Sequence, residues 1–362
     1  MNQDYDVVVI GAGIAGLSAA AFISSGARVL VLERESQPAY HSSGRSASVY
    51  IEGYENPVVA ALTKASGDFF RSPPAGFSDD EILHPRGGLT AAKPGEEAVL
   101  AKYIERWGPL CPSLRAADRD ETLTLSPILR PESICGGAWD PTWMSIDTHA
   151  LVLGYQRLLR KNGGTVVANT EITALNRTGL RWTVNTQEQT YQCDTVVNAA
   201  GSWAGSIGEM VGLSKPLTPM RRTGIILKAP DEVTSWPLVH MLSGDLYFKP
   251  ESPGLMVCPG DETPTVACDA QPEELDIAIA LDRFQNYTDM PIGRPMHTWA
   301  GLRTFAPDRY PILGFDKSAT GFFWLAGQGG FGVQTSPEMG RLAGAIVTGK
   351  EPVPTELDAN RF

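Results

Sequence analysis

A chain of 362 residues, 43% hydrophobic and 20% charged, is long for a single core and too apolar to be a disordered tether. A formal net charge of −11 with no basic stripe argues against a nucleic-acid partner. Five cysteines (Cys111, Cys135, Cys193, Cys258, Cys268) without C-x-x-C spacing argue against zinc, any other metal-ligand cluster and a disulfide framework.

The chain enters a strand at once, leaving no room for a signal peptide. Outside the opening unit, no apolar run reaches the roughly 18 residues that a membrane-spanning helix needs. A cytoplasmic location is expected, or a peripheral one at the inner membrane face.

Val7 to Ile10 is an apolar run suited to a parallel strand buried on both faces. Gly11-Ala12-Gly13-Ile14-Ala15-Gly16 follows, then a helical pattern from Leu17 to about Ser25 and a second buried strand, Arg28–Leu32. Glu33 closes it, about twenty residues beyond the glycines, as in a dinucleotide-binding βαβ unit. Gly11 permits the turn, Gly13 lets a pyrophosphate approach, and Gly16 lets helix and strand pack. The helix start at Ile14 and Ala15 offers N–H groups and a positive dipole end to phosphates, while Glu33 suits a ribose. The stretch 39–47, AYHSSGRSA, suits a loop of N–H, O–H and cationic donors beneath a cofactor.

Further along, helical spacing runs from Asn56 to Phe70, and two short strands flank Pro85-Arg86-Gly87-Gly88. Glu96 to Trp107 is helical, and 111–135 is proline-studded and irregular. Gly136 to Asp147 is a strand and turn leading to a helix, Thr148–Lys161, with Asp147 as its N-cap. Small strands follow over 165–186, then a buried strand, Asp194–Ala199, ending in small residues that let a ligand approach. After Pro216, alternation at Arg221–Leu227, Leu246–Lys249 and Leu255–Cys258 predicts an antiparallel sheet with one exposed face. Pro272–Asn286 is a helix and His297–Phe305 a strand and turn. Gly321–Gln328 is a buried strand running into Gly329–Ser336 and a last helix ending at Gly349. The expected architecture is a Rossmann-type α/β domain from 1–80, 145–215 and 300–362. A second domain, built on a mainly antiparallel sheet, takes 81–144 and 216–299.

GAGIAG with Glu33, HSSGRSA at 41–47, VVNAAGSW at 196–203, AGLRTFAPDRYPILG at 300–314 and GGFGVQTS at 329–336 occur in one order. Together they resemble the D-amino-acid oxidase-like flavoproteins, a family that includes glycine oxidase, sarcosine oxidase and bacterial D-amino-acid dehydrogenases. The match covers nearly the whole chain. YHSSGRSA, PPAGF at 73–77 and HTWAGLR at 297–303 look most similar to the D-arginine dehydrogenase branch. The resemblance implies FAD, bound non-covalently, with a substrate domain roofing the flavin. It implies FAD contacts at Gly11, Gly13, Ile14, Ala15, Gly16, Glu33, Arg34, His41, Ser42, Ser43, Arg45, Ser46 and Ala47. It extends them to Ile172, Ala200, Gly201 and Trp203, and to Gly330, Phe331, Gly332, Val333, Gln334 and Thr335 near the pyrimidine ring. The last helix begins there, so its positive end could stabilise negative charge on reduced flavin. Dimethylglycine dehydrogenase-like relatives carry a covalently linked histidine near the place of His41; the D-arginine dehydrogenase-like group does not.

The same resemblance implies Arg222 and Arg303 as carboxylate-binding arginines, with Tyr247 and Tyr54 lining the pocket. An arginine fork matches a carboxylate where lysine cannot. The implied reaction takes a hydride from the α-carbon of a D-amino acid to flavin N5, and the imino acid hydrolyses to a 2-oxo acid and ammonia. Quinone or O2 would be the final electron acceptor. The chain departs from the branch in carrying Gly88 where a glutamate pairs a guanidinium and Val49 where a histidine lines the pocket. Neutral or apolar side chains, bulky ones included given the space at Gly88, are therefore expected over basic ones. Three other readings stay open: an oxidase of secondary amines or imino acids, a 2-hydroxy-acid dehydrogenase using His240 or His297 as base, and a flavin-binding module without turnover.

Overall fold

The computed structural model describes residues 3–362. The element that positions the rest is a six-stranded sheet in the order Thr165–Val167, Val29–Leu32, Val7–Ile10, Thr195–Asn198, Phe322–Ala326, Ile312–Phe315. Its strands run parallel except the last, which pairs antiparallel. Alternate side chains of one strand feed two different cores, because successive residues point to opposite faces. Val7, Val9, Val29 and Val31 pack under the helices Ile14–Ile23, Thr148–Lys161 and Gly332–Val347. Val8, Ile10, Leu30 and Leu32 instead meet Trp182, Val184 and Tyr191 of a smaller sheet on the other face. Coverage on both faces is why these strands read as unbroken Val/Leu/Ile runs.

The second unit is a nine-stranded sheet. Thr218–Leu227 lies between Gly254–Cys258 and His297–Phe305, and beyond Gly254–Cys258 come Tyr247–Glu251, Leu238–Met241, Gly88–Ala92, Gly136–Asp140 and Arg115–Ala117. Its pairings are antiparallel apart from Leu238–Met241 against Gly88–Ala92. A three-stranded sheet of Val49–Tyr50, Met144–Ile146 and Leu83–Pro85 links the two units.

Three sequence expectations need correction. Residues 111–135 are not irregular throughout: they hold the strand Arg115–Ala117 and the helix Arg119–Leu125, whose N-cap Asp118 accepts from Glu121 N–H. The prolines there lie outside both elements. The return to the nucleotide unit falls after Phe305 rather than at residue 300, because His297–Phe305 pairs along its whole length with Thr218–Ile226. Gly254–Cys258 is buried on both faces rather than half-exposed. Leu255 and Val257 pack on Phe284 of the Glu274–Tyr287 helix, while Met256 and Cys258 turn into the cleft between the units. The expected cap holds, with Asp147 accepting from Ala150 N–H, while Asn56, expected as the first helical residue, is instead the N-cap of Pro57–Arg71 and accepts from Val59 N–H.

Candidate functional site

A cleft of about 310 Å³ runs between the two units, within the range of small-molecule sites. At one end Glu33, Arg34, Thr170, Ile172, Ile207 and Met210 line it; at the other stand Arg222, Tyr247, Cys258, Arg303 and Gly330. Two helix starts, at Ile14 and Gly332, meet the cleft along its length. Unsatisfied N–H groups and aligned peptide dipoles make each start a place for negative charge.

The first βαβ turn is built as the spacing predicts. Gly11 has φ +99°, and a side chain there would lie 2.7 Å from the Ala199 carbonyl. Gly16 lets the helix close on the turn and does not face the cleft, since a Cβ would meet Gly11 O at 1.9 Å. Gly13 brings no capping side chain to the helix. Glu33 shapes both loops: its two carboxylate oxygens accept from Ala12 N–H at 2.6 Å and Glu35 N–H at 2.9 Å.

The donor loop at 41–47 is anchored across the molecule. Ser43 Oγ accepts from Ile14 N–H at 2.9 Å, and Ser42 donates to the Leu302 carbonyl at 2.6 Å. Arg45 donates to the carbonyls of Ala270 and Ala300 and pairs with Asp269. Ser46, Ala47, Ala200, Gly201 and Trp203 also line the cleft. The Arg34 guanidinium lies 4.3 Å over the Trp203 ring, whose other neighbour is His41. His41 Nε2 lies 2.9 Å from Glu35 Oε1, and that contact, with Arg34, holds the Glu35 carboxyl below its usual range.

At the far end the residues separate into two groups. Gly330, Gly332 and Val333 line the cleft. Phe331 turns into a cluster with Val59 and Phe305, Thr335 donates to the Phe331 carbonyl, and Gln334 Oε1 accepts from Ile51 N–H. These three side chains brace the helix start from behind instead of facing the cleft.

The two arginines also part company. Arg222 reaches the cleft wall, but Nε donates to the Asp261 carbonyl at 2.6 Å and Nη2 pairs with Glu262 at 3.0 Å. Arg303 lies against Gly330, where a Cβ would come within 2.9 Å of its guanidinium carbon. Arg303 Nη2 donates to the Tyr247 hydroxyl at 3.3 Å, and among the described residues no carboxylate lies within ion-pair distance. Burial pushes the Tyr247 phenol well up, with the neighbouring Cys258 adding to the shift, so it stays protonated. Its O–H therefore remains a donor while its oxygen accepts from Arg303.

Tyr54, Val49 and Gly88 are not on the main cleft wall. The Tyr54 ring meets His240 at 6.5 Å and Phe331 at 5.9 Å, and His240 in turn meets Tyr247 at 6.5 Å. Val49 lies in the linking sheet and packs against the cluster of Ile51, Trp143 and Leu238. The expected open space at Gly88 is absent: the Trp143 indole fills it, 1.9 Å from where a Cβ would stand. His297 is exposed and stacked on Trp299, away from the cleft. Met256, Cys258, Trp299 and Gln328 line the cleft without having been singled out from the sequence. The alternation along Gly254–Cys258 carried the signal for the first two.

A dinucleotide fits this cleft in its chemistry: phosphates at the Ile14 helix start, a ribose near Glu33 and an electron-rich ring edge at the Gly332 helix start. The family profile described as "FAD dependent oxidoreductase" (DAO) matches residues 6–346. The chain belongs to that family.

The chain is similar to glycine oxidase of Geobacillus kaustophilus, 23% identical over 97% of this chain and 95% of the relative. It is similar to mitochondrial dimethylglycine dehydrogenase of Rattus norvegicus, 24% identical over 99% of this chain and 45% of the relative. The chain thus spans under half the length of that larger protein. Among solved structures, glycine oxidase from Geobacillus kaustophilus superposes with a TM-score of 0.87 at 21% identity over 100% of both chains. L-proline dehydrogenase from P. horikoshii gives 0.85 at 20% identity, over 100% of this chain and 98% of the other. Both share this fold. Among the described residues no helix is long and apolar enough to cross a membrane.

Proposed function

We propose that this enzyme oxidises the C–N bond of an uncharged-side-chain amino acid, with D stereochemistry as the resemblance suggests. The observation that carries this reading is Arg303: a guanidinium at the cleft, hydrogen-bonded to a protonated Tyr247 and without an acidic partner among the described residues. A planar fork beside a phenol donor suits one carboxylate. Arg222, held by Asp261 and Glu262, positions that wall and is a poor second anchor.

FAD would be held by Gly11, Gly13–Ala15, Glu33, Arg34, Ser42, Ser43, Arg45–Ala47, Gly330, Gly332 and Val333, and would supply the two-electron acceptor for the hydride leaving the α-carbon. The protein supplies orientation: Arg303 and Tyr247 fix the carboxylate, which fixes the α-carbon one bond away. His240 stays neutral at pH 7, so no extra cation in this wall opposes an amine nitrogen. Loss of the amine proton and hydride leaves an imino acid, which water converts to a 2-oxo acid and ammonia. Relatives named for glycine, dimethylglycine and L-proline support a carboxylated amine and keep secondary amines as a second reading.

The test is anaerobic mixing of the yellow protein with D- and L-amino acids, N-methyl amino acids and 2-hydroxy acids, following flavin bleaching. Rapid bleaching by neutral D-amino acids is expected. Bleaching by 2-hydroxy acids alone, or by D-Arg and D-Lys above all others, overturns the reading.

A further inference from the structure

The strand Phe322–Ala326 runs into a turn that sets one polar side chain against the last helix. Gly327 and Gly329, on either side of Gln328, have φ of +70° and +51°, left-handed backbone that glycine adopts freely. Gly329 N–H donates to the Thr304 carbonyl and Phe331 N–H to the Gln328 carbonyl, each at 2.9 Å, which pins the turn. The Gln328 side chain lies over the first residue of the helix Gly332–Val347: its Oε1 is 2.8 Å from where a Gly332 Cβ would stand. A side chain at position 332 would take the space that this carboxamide fills.

Two amide nitrogens in this segment, Gln328 Nε2 and Gln334 Nε2, are buried without a hydrogen-bond partner among the described residues. A buried donor left unpaired costs free energy that an incoming acceptor removes. Gln334 is committed elsewhere, since its oxygen accepts from Ile51 N–H and it is not part of the cleft wall. Gln328 lines the cleft, as do Gly330 and Gly332. With phosphates at the Ile14 helix start and a ribose near Glu33, the ring of FAD falls at the Gly332 end. An uncharged N–H donor there matches an electron-rich ring edge and adds to the helix N–H groups.

We infer that Gln328 is a flavin contact that tunes the cofactor: its carboxamide N–H donates to the electron-rich edge of the FAD ring and raises the reduction potential. The hydride leaving the α-carbon carries two electrons and one proton to the ring, so the added negative charge stays on that edge. A hydrogen bond to a charged acceptor is about twice as strong as one to a neutral acceptor, and Gln328 therefore holds the reduced ring more tightly than the oxidised one. This inference rests on the placement of the ring at the Gly332 end and is independent of which amine is oxidised.

The test is the midpoint potential of the FAD-loaded protein, read from the visible spectrum during slow reduction against a reference dye, so that no turnover is needed. Gln328→Leu keeps the bulk and removes the donor. It should lower the reduced-to-oxidised ratio at a fixed potential about tenfold, about 30 mV for a two-electron couple. Gln328→Glu puts a carboxylate on the same frame and should lower the ratio further, an order that lost packing would not produce. Gln328→Met takes the place of the leucine variant if that protein does not hold FAD. Arg303→Met removes a cation beside Gly330 and should also lower the ratio, which reports whether the ring lies at this end. A ratio in Gln328→Leu within threefold of wild type, while Arg303→Met lowers it, overturns the inference and leaves the ring placement standing. Equal losses in the leucine and glutamate variants assign the shift to packing and overturn it as well. If no variant moves the potential, the ring placement falls and this inference with it.

Discussion

Arg303 and Tyr247 share one hydrogen bond, 3.3 Å from Nη2 to the phenolic oxygen, across strands that are not neighbours in the sheet. The bond aims the guanidinium fork, while the phenol keeps its proton beside the Cys258 thiol. Arg303→Ala should raise KM for a carboxylated substrate by about 30- to 1,000-fold, from roughly 2–4 kcal/mol of lost charge pairing. Arg303→Lys keeps the charge but not the fork and should recover only part of that loss. Tyr247→Phe should cost about tenfold, the scale of one hydrogen bond to a charged group. Steady-state kinetics on the best substrate of the bleaching panel decide the matter, and KM in Arg303→Ala within threefold of wild type would rule out the anchor.

Retention of FAD should depend on the turn at Gly11. Its φ of +99° and the Ala199 carbonyl at 2.7 Å leave no place for a methyl group. Gly11→Ala should purify colourless or lose its flavin on gel filtration, whereas Gly205→Ala, with open space around it, should stay yellow. A fully flavinated Gly11→Ala protein would show that the turn can shift without loss of the cofactor.

What could be read in the chain follows from the range of the interactions. The opening unit was legible because its strand, turn, helix and acid lie within 33 residues, and each glycine answers a local backbone demand. The cap at Asp147 is local in the same sense. Arg222 was legible as a cleft residue, but its capture by Asp261 and Glu262 depends on a loop reached only after the sheet forms. Gly88 is the clearest miss. A missing side chain reads as space, and only the pairing of Met144 with Pro85 brings the adjoining indole over it. Likewise Met220 opposite Arg303 is a register set by two strands far apart in the chain.

An ion-pair clasp near the substrate end should set local stability. Arg309 pairs with both Glu55 and Glu262, its guanidinium lies 3.9 Å over the Phe305 ring, and Glu262 also pairs with Arg222. Glu55 and Arg309 both adopt left-handed backbone, φ +62° and +61°, which non-glycine residues adopt at some cost. The groups are partly exposed, so solvent screens them, and Arg309→Gln should lower stability by only about 1 kcal/mol. The difference from wild type should shrink in high salt. Urea unfolding at low and high ionic strength measures it, and a difference that grows with salt would rule out the electrostatic account.

The acid limb of stability should pass through His240. Burial, then the Arg222 charge, pulls this imidazole down from its ordinary 6.5 to about 4, against a weaker opposing pull from Asp245. The unfolded chain therefore takes up a proton at higher pH than the folded one does. The folded state holds this advantage in full above pH 6.5 and loses it progressively as pH falls from 6.5 toward 4. His240→Asn keeps a polar planar group there and removes the titration. Comparing urea midpoints at pH 7 and pH 5, wild type should lose more stability than His240→Asn, because every other titrating group is common to both. If the two proteins lose the same amount, His240 is not a neutral buried imidazole, and the uncharged wall between Tyr54 and Tyr247 would have to be abandoned.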